Sequence, residues 1–445
     1  MHDVVIVGAG LAGLSAARAL VAQDLDVLVL EARDRVGGRT HTVDVDSVAL
    51  DLGGQWLAPD QHRMHGLCRE FGIETFPQFH TGEKILDIDG KISRYSGAIP
   101  SMAPHRLVVM QAALTTVDRK MKRVDPREPW SARRAARLDS ETVDAWARRH
   151  IPSKQVREVM AVAARVVFGA EPAELSLLHF LAYCNAGGGF LHLAEIEGAA
   201  QETRFVAGAQ QVALALAGEL GNRVRYDSPV TRIEALGTVK VDVGGSRHDA
   251  RRLIVALPPH LVQQIEFEPA LPHRRTALQQ RFPMGQTIKC HVLFDEPFWR
   301  NDGMSGEVVA TDGPLSVVFD NSPADGSCGA LLGFSVGAPG RDLGSMTEAD
   351  RRHAVTEHLA RWFGPRARSV RAYIDKDWAA DVWTGGCPVA SPAPGALSAY
   401  GPMLRRSVGP IHWAGTETAE TWTGYMEGAV LSGERAAAEV LSAIG

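Results

Sequence analysis

The first residues of the chain combine two short apolar runs with a helical pattern between them. Residues 4–7 read Val-Val-Ile-Val and residues 27–30 read Val-Leu-Val-Leu. Continuous runs of this kind are typical of strands buried on both faces of a parallel sheet. Residues 14–22 are rich in Leu and Ala and predict a helix. We therefore predict a βαβ unit at the N-terminus.

The rest of the chain divides into a helical block and several groups of strands. Residues 130–183 are helical in pattern and rich in Arg and Ala. Alternating positions at 230–233, 239–243 and 253–257 predict a strand meander. Further strands are predicted at residues 287–294, 317–319, 331–336 and 411–414, and further helices at residues 347–363 and 426–444. Because strands and helices alternate at both ends of the chain, we predict one α/β domain built from discontinuous segments.

Three glycines follow the first predicted strand with the spacing G-x-G-x-x-G. They are Gly8, Gly10 and Gly13, and Glu31 ends the second predicted strand. Gly8 permits a tight turn, Gly10 lets the backbone approach a pyrophosphate, and Gly13 lets the helix pack on the strand. The helix N-terminus favours negative charge, and Glu31 can accept the ribose hydroxyls. These residues predict a dinucleotide site and leave NAD and FAD both open.

Composition narrows the class of protein and of partner. Of 445 residues, 45% are hydrophobic and 22% are charged, as in ordinary globular proteins. The net charge of −5 provides no basic field for nucleic acid or an anionic membrane. No apolar run is long enough to span a bilayer, and the five cysteines are too scattered for a disulfide framework or a zinc site. We expect a cytoplasmic protein without a metal.

The residues after Glu31 favour the larger cofactor. Residues 33–40 contain a second glycine–arginine turn, and residues 51–56 read Asp-Leu-Gly-Gly-Gln-Trp. Both stretches resemble flavoproteins of the amine oxidase and glutathione reductase type. Residues 413–418 and 422–429 look like the C-terminal flavin signature of the flavin-containing monoamine oxidase family. The chain resembles that family over nearly its full length.

This resemblance implies FAD as the cofactor and a fold of two domains. The expected fold is an α/β FAD-binding domain, Rossmann-like and of the glutathione reductase type, with an α+β substrate domain of mixed sheet and helices. The FAD-binding domain is expected to comprise residues 1–77, 206–280 and 384–445, and the substrate domain residues 78–205 and 281–383. The family's membrane-bound members carry a C-terminal apolar anchor, which this chain is expected to lack.

The resemblance also implies a set of cofactor contacts. Val230 matches a strand residue whose backbone meets the adenine, and Cys387 matches the cysteine that bonds to the flavin in covalent members. Cys387 is equally compatible with a small buried residue, so covalent attachment stays one of two alternatives. The other expected contacts are Gly8, Gly10, Gly13, Glu31, Arg33, Gly38, Arg39, Gln55, Trp56, Gly415, Thr416, Glu417 and Met426.

Four residues match positions that act on the substrate or the flavin in the family. Lys289 matches a lysine that holds a water against the flavin, and its apolar neighbours predict a lowered pKa. Tyr425 matches one wall of an aromatic cage, and Gln201 matches a glutamine that orients the substrate. Trp378 matches a tryptophan near the flavin, although a core aromatic explains it equally well.

The expected substrate pocket is mostly apolar. By the same resemblance it draws on Val167, Phe168, Tyr183, Ala194, Ile196 and Pro388. Pro388 stands where covalent members have the tyrosine of the second cage wall, so that wall is missing or supplied from elsewhere. Glu195 and Glu197 are either solvated acids or partners for the second ammonium of a diamine. No arginine lies in a motif that would grip an α-carboxylate, which argues against an amino acid oxidase.

We therefore predict an FAD-dependent amine oxidase that converts a small-molecule amine to the imine, with O2 reduced to H2O2. The imine is expected to hydrolyse to an aldehyde or ketone. The alternatives are an FAD-dependent dehydrogenase or desaturase of a cyclic amine or C–C bond, a polyamine oxidase, and a non-enzymatic FAD-bound scaffold. A homodimer is compatible with this fold, in which dimers are common.

Overall fold

The computed structural model describes residues 1–97 and 102–444. The strands of these residues are β1 (His2–Val7), β2 (Val27–Leu30), β3 (Thr42–Val45), β4 (Val48–Asp51), β5 (Trp56–Leu57), β6 (Thr75–Pro77), β7 (Glu83–Ile88), β8 (Lys91–Tyr95), β9 (Thr203–Phe205), β10 (Val224–Arg225), β11 (Val230–Leu236), β12 (Thr238–Val243), β13 (Ser246–Val255), β14 (Glu266–Glu268), β15 (Thr287–Phe294), β16 (Met304–Ala310), β17 (Val317–Asp320), β18 (Gly329–Val336), β19 (Ala372–Asp377) and β20 (Ile411–Trp413).

The α-helices of the same residues include none long and apolar enough to cross a membrane. They are α1 (Leu11–Val21), α2 (His62–Phe71), α3 (Pro104–Met121), α4 (Ala135–Ser140), α5 (Val143–His150), α6 (Lys154–Phe168), α7 (Leu177–Ala186), α8 (Phe190–Ala194), α9 (Gln210–Leu220), α10 (His273–Gln279), α11 (Phe298–Asn301), α12 (Ala338–Gly344), α13 (Glu348–Phe363), α14 (Ala396–Tyr400) and α15 (Met426–Ile444).

The first large sheet contains the predicted βαβ unit. Its strand order is β10-β2-β1-β13-β12-β11-β14, with β20 paired to β13. Strands β1 and β2 are parallel, with Val5 opposite Leu28. Alternate residues of β1 enter two different cores, because side chains of a strand point to opposite faces. Val4 and Ile6 pack against α1, α9 and α15 on one face, whereas Val5 and Val7 pack on the other.

The second large sheet is mixed. Its order is β19-β15-β18-β17-β16-β7-β8, and all of its pairs are antiparallel except β16 with β7. Helices α3 to α8 form a separate block whose core includes Phe168 and Phe180. The strands of the first sheet come from the segments predicted for the FAD-binding domain, and those of the second from the segments predicted for the substrate domain. The domain boundaries themselves stay a prediction.

Several elements differ from the pattern-based expectations. Residues 130–183 form four α-helices instead of one block, with breaks where Thr142, Ser153 and Ser176 cap the following helix. Strand β13 begins at Ser246, well before the predicted residue 253. Its first half pairs with β12, but the hydrophobic pattern did not indicate it because these residues are polar and mostly exposed. Strands β7, β8, β16 and β19 and helix α3 were not predicted by the hydrophobic pattern.

The close contact of α1 with α15 depends on a glycine. A Cβ atom on Gly433 would lie 2.1 Å from the carbonyl oxygen of Ala12 and 3.0 Å from the amide nitrogen of Ala16. These neighbours are backbone atoms of α1, so they cannot move aside without displacing the helix. Helix α1 begins at the predicted nucleotide loop, and this packing therefore also positions that loop.

We expect Gly433→Ala to lower the free energy of unfolding by about 1–3 kcal/mol, because the added methyl group overpacks the interface between two helices. The matched control is Gly218→Ala in α9, where no atom lies within 4 Å of the added Cβ. The control should be neutral or stabilising by up to about 1 kcal/mol, because Ala favours a helix more than Gly does. Thermal denaturation of both variants measures this, and equal melting temperatures would contradict it.

Candidate active site

The predicted nucleotide motif lies at the carboxyl end of β1 and opens into a deep cleft. A Cβ on Gly13 would lie 1.9 Å from the Gly8 carbonyl oxygen, so helix and loop touch there. A Cβ on Gly10 would have no atom within 4 Å, so open space adjoins the loop at this point. No side chain among the described residues caps α1 at Gly10. The free N–H groups of its first turn can therefore bind a pyrophosphate.

Glu31 is held in place at the end of β2. Its carboxylate accepts hydrogen bonds from the backbone N–H groups of Ala9, at 2.7 Å, and Arg33, at 3.0 Å. Each carboxylate oxygen retains acceptor capacity, and Glu31 lines the cleft. The glycine loop, the uncapped helix and this oriented acid together fit the nucleotide half of FAD.

Most of the residues predicted from the sequence meet in this one cleft. The predicted residues that line it are Gly8, Gly10, Glu31, Arg33, Gly38, Arg39, Gln55, Trp56, Val167, Tyr183, Gln201, Val230, Lys289, Cys387, Pro388, Gly415, Thr416, Tyr425 and Met426. Six others are displaced from it: Gly13, Phe168, Ala194, Ile196, Trp378 and Glu417.

The displaced residues support the cleft from behind. Phe168 is fully buried against Tyr183, at 4.5 Å between ring centroids. Ile196 belongs to a core cluster that includes Phe334. Trp378 is fully buried and donates its indole N–H to the carbonyl of Leu52 at 2.7 Å. The core alternative for Trp378 therefore fits its position better than a place on the cleft wall.

The two arginines expected to bind the cofactor bind carboxylates of the protein. Arg33 donates to Asp381 at 2.6 Å. Arg39 donates to Glu417 through both terminal nitrogens, at 2.6 and 3.0 Å, and to the carbonyl oxygen of Pro388 at 2.8 Å. Both arginines therefore tie the segment that carries Cys387 to the turn after β2.

Lys289 lies on β15 in the wall of the cleft and is 2% exposed. Its Nζ donates to the carbonyl oxygens of Asp51, at 2.7 Å, and Gly53, at 2.8 Å, and to the side-chain oxygen of Gln55 at 2.6 Å. Burial lowers the pKa of Lys289 to about 7, as the sequence predicted in direction. Gln55, expected to contact the cofactor, lines the cleft and is also a hydrogen-bond partner of this lysine.

The aromatic neighbours of Tyr425 include a residue from another element. Tyr183 of α7 also lines the cleft, with 6.3 Å between the two ring centroids and 46° between the ring planes. A Cβ on Gly424 would lie 2.1 Å from the Tyr183 hydroxyl oxygen, so a larger residue at this position would collide with Tyr183. Pro388 lines the same cleft.

Gln201 has one amide atom bound and one free. Its Nε2 donates to the carbonyl of Leu193 at 3.2 Å, whereas its buried Oε1 has no partner among the described residues. Glu195 lies near Lys84, 3.6 Å from Nζ, and does not line the cleft. Burial raises the pKa of Glu195 to about 7.

Some lining and supporting residues were missed by the sequence analysis. Leu193, Ala200 and Phe334 line the cleft, and His291 and Asn321 lie behind it. His291 is two positions from Lys289 on the same strand, so the two-residue period of a strand could have identified it. Asn321 follows β17 and carries no comparable signal in the sequence.

Comparison with known proteins establishes the family of this chain. The family model described as flavin containing amine oxidoreductase matches residues 11–441. A probable flavin-containing monoamine oxidase A of Dictyostelium discoideum is 37% identical over 445 residues, which is 99% of this chain and 97% of that protein. This chain belongs to the flavin-containing amine oxidoreductase family.

Solved structures of the family agree with the fold. Putrescine oxidase bound to putrescine has a TM-score of 0.96 at 32% identity, covering 99% of both chains. Cyclohexylamine oxidase from Brevibacterium oxydans IH-35A has a TM-score of 0.95 at 32% identity, covering 100% of this chain and 99% of that one. The predicted fold class, the FAD cofactor and the activity of a flavin-dependent amine oxidase are thereby confirmed. The roles of the individual site residues stay predictions.

We expect Glu417→Gln to lower the free energy of unfolding by about 3–5 kcal/mol, because it leaves the guanidinium of Arg39 without its buried counter-ion. Burial raises the pKa of Glu417, but the charge and hydrogen bonds of Arg39 outweigh it and hold the pKa below its usual value. The pair is therefore intact at neutral pH, and its contribution is lost as the pH falls through that lowered pKa.

The matched control is Glu357→Gln, which breaks an exposed pair with Arg368. Exposed pairs contribute about 0–1 kcal/mol, so the control should melt near the wild-type temperature. Differential scanning calorimetry at pH 7 compares the two variants. A control variant as unstable as Glu417→Gln would refute this account of the buried pair.

Proposed function

We propose that this enzyme oxidises apolar primary amines and that Gln201 binds the amine nitrogen. The observation that supports this most directly is the buried Oε1 of Gln201, an acceptor without a partner in the described chain. A buried acceptor without a partner is destabilising, and an N–H group of a bound amine satisfies it. A desaturase of a C–C bond has no comparable use for this acceptor.

The rest of the pocket favours a substrate with one amino group and an apolar body. Val167, Leu193, Ala200 and Phe334 line it. The charged residues of the described lining are Glu31, Arg33, Arg39 and Lys289. Glu31 belongs to the nucleotide end, and Arg33 and Arg39 are paired with carboxylates. Among the described lining residues, no carboxylate is therefore left for a second ammonium, and no unpaired arginine for an α-carboxylate.

The proline at position 388 gives the slot beside Tyr425 a shape that favours an alicyclic substrate. A proline in place of an aromatic cage wall removes one face of a flat slot, and Tyr183 approaches Tyr425 from a different direction, tilted by 46°. A slot of this shape accommodates a saturated ring, which is thicker than an aromatic ring. Cyclohexylamine oxidase and putrescine oxidase are equally similar to this chain, so the choice between an alicyclic amine and a diamine rests on the residues of the cleft.

The residues of the chain bind and orient the amine, and FAD supplies the redox chemistry by accepting a hydride equivalent and passing two electrons to O2 as H2O2. Only the neutral amine can lose hydride. An apolar cleft lowers the pKa of a bound amine, because burial penalises the ammonium form. Lys289 adds positive charge to the wall and disfavours a second cation there.

We expect H2O2 release in air with cyclohexylamine, and little or none with putrescine or with amino acids. In Gln201→Leu, kcat/KM for cyclohexylamine should fall about 10-fold or more, because one hydrogen bond to the amine is worth about 1.4 kcal/mol. Gln280→Leu, the same change at an exposed position, should match the wild type. Equal activity of Gln201→Leu and the wild type would contradict the role of Gln201, and a preference for putrescine would contradict the substrate class.

We further propose that Cys387 forms a thioether with the flavin. The backbone of Cys387 is fixed on both sides: its N–H donates to Gly285 O at 2.9 Å, and its carbonyl accepts from Thr287 Oγ1 at 2.7 Å. Cys387 lines the cleft. Burial raises the pKa of the thiol to about 11, against the charges of Arg39 and Lys289. Forming the bond would replace one hydrogen of a flavin methyl group by sulfur, and O2 would take up the two protons and two electrons released and become H2O2.

We expect the yellow colour to stay with the protein pellet when the wild type is precipitated with acid, and to appear in the supernatant with Cys387→Ala. Cys290→Ala, at a buried cysteine of β15, should retain the flavin in the pellet. The visible absorbance of the flavin in the two fractions measures the distribution. Release of flavin from the wild type would contradict attachment and leave the amine oxidase activity unaffected.

A further inference from the structure

The wall behind Lys289 is a closed ring of buried hydrogen bonds. Lys289 donates to Gln55 Oε1, and Gln55 Nε2 donates to Asn321 Oδ1 at 3.0 Å. Asn321 Nδ2 lies 3.3 Å from His291 Nδ1, and His291 Nε2 lies 3.1 Å from the carbonyl oxygen of Asp51. The same carbonyl accepts from Lys289. All five residues are buried, so water does not replace any of these bonds.

The direction of every bond in the ring follows from the Asp51 carbonyl. A carbonyl oxygen only accepts, so Nε2 of His291 carries the proton that it donates there. Burial holds the pKa of His291 well below its usual value, so the ring is neutral and Nδ1 is an acceptor. Asn321 must then turn its NH2 group to His291 and its oxygen to Gln55. Gln55 in turn must direct its NH2 group to Asn321 and its oxygen to Lys289.

We propose that His291 and Asn321 are positioning residues that fix the orientation of the Gln55 amide and thereby keep Lys289 in its protonated form. The ammonium group has three N–H donors, and three acceptors face it: Asp51 O, Gly53 O and Gln55 Oε1. A neutral amine has two donors and leaves one of these buried oxygens without a partner. It would be stabilised only if Gln55 turned its NH2 group to the nitrogen lone pair, and the ring prevents that rotation.

Some groups near Lys289 raise its pKa and others lower it. Burial lowers its pKa most, and the carboxyl of Asp51 and the thiol of Cys387 raise it, whereas Arg204 lowers it. The carboxylate of Asp51 accepts from Thr42 and the Ala209 N–H, and does not contact the ammonium. No carboxylate among the described residues forms a salt bridge with Lys289 within 4.0 Å. The oriented oxygens of the ring therefore supply the stabilisation that a counter-ion would otherwise give.

The titration of Lys289 can be observed directly, because the chain has eight lysines. The holoenzyme is labelled with 13C at the lysine Cε position, and the Lys289 signal is the one absent from Lys289→Met. Its chemical shift is followed against pH in the wild type, in Asn321→Leu and in His291→Phe. His291→Phe retains a planar ring of similar size, which limits the disturbance of packing. Gln78→Leu is the matched control: it removes a nearby buried amide that bonds to Trp56 and Asp320 but not to the ring.

We expect the midpoint of the Lys289 titration to fall by about one pH unit in both ring variants, because Gln55 can then turn its NH2 group to the nitrogen lone pair and stabilise the neutral amine. Gln78→Leu should keep the wild-type midpoint. Unchanged or raised midpoints in Asn321→Leu and His291→Phe, or an equal fall in Gln78→Leu, would overturn the proposal.

This inference rests on the proposed function only in placing Lys289 beside the flavin. The titration is measured without an amine substrate, so its result is independent of which amines are oxidised. Loss of the expected substrate preference would leave the ring intact, and an unaltered titration would leave the amine oxidase assignment intact. The two failures are therefore distinguishable.

Discussion

The buried ion pair of Arg39 and Glu417 joins three parts of the chain that are remote in sequence. Arg39 belongs to the turn after β2, Glu417 to the segment after β20, and the carbonyl of Pro388, which Arg39 also binds, to the segment that carries Cys387. A buried charge is stable only with such partners. The turn after β2, the segment of the cysteine and the C-terminal signature are therefore linked to one another at the cleft by these hydrogen bonds.

The cleft that results has two chemically different ends. At the nucleotide end, the free N–H groups of α1 and the carboxylate of Glu31 offer polar partners to a charged ligand. Elsewhere the lining includes apolar side chains and Gln201, whose buried Oε1 has no partner among the described residues. Lys289 lies in the wall as a cation without a carboxylate partner, held by oriented oxygens. This separation suits an enzyme that binds a dinucleotide and an amine in the same cavity.

Much of the fold was predictable from local pattern, because its central elements are long or strongly apolar. Strand β15 and helix α15 were predicted with the bounds that the structure has. Strand β15 is buried along its whole length, and α15 is buried along one face. Strand β13 was only half predicted, since its polar first half pairs with β12 at an exposed position. Pairing of this kind is decided by a partner strand and leaves little trace in hydrophobic pattern.

The sequence by itself determined the nucleotide motif and the family and predicted the site residues, because glycine spacing and short signatures are local properties of the chain. Tertiary structure decided what each group binds. Arg33 and Arg39 neutralise carboxylates of the protein, Gln55 holds Lys289, and Trp378 supports the wall from behind. These partners come from segments far apart in sequence. A side chain's hydrogen-bond partner depends on distance and orientation in space, which residue type and spacing along the chain do not specify.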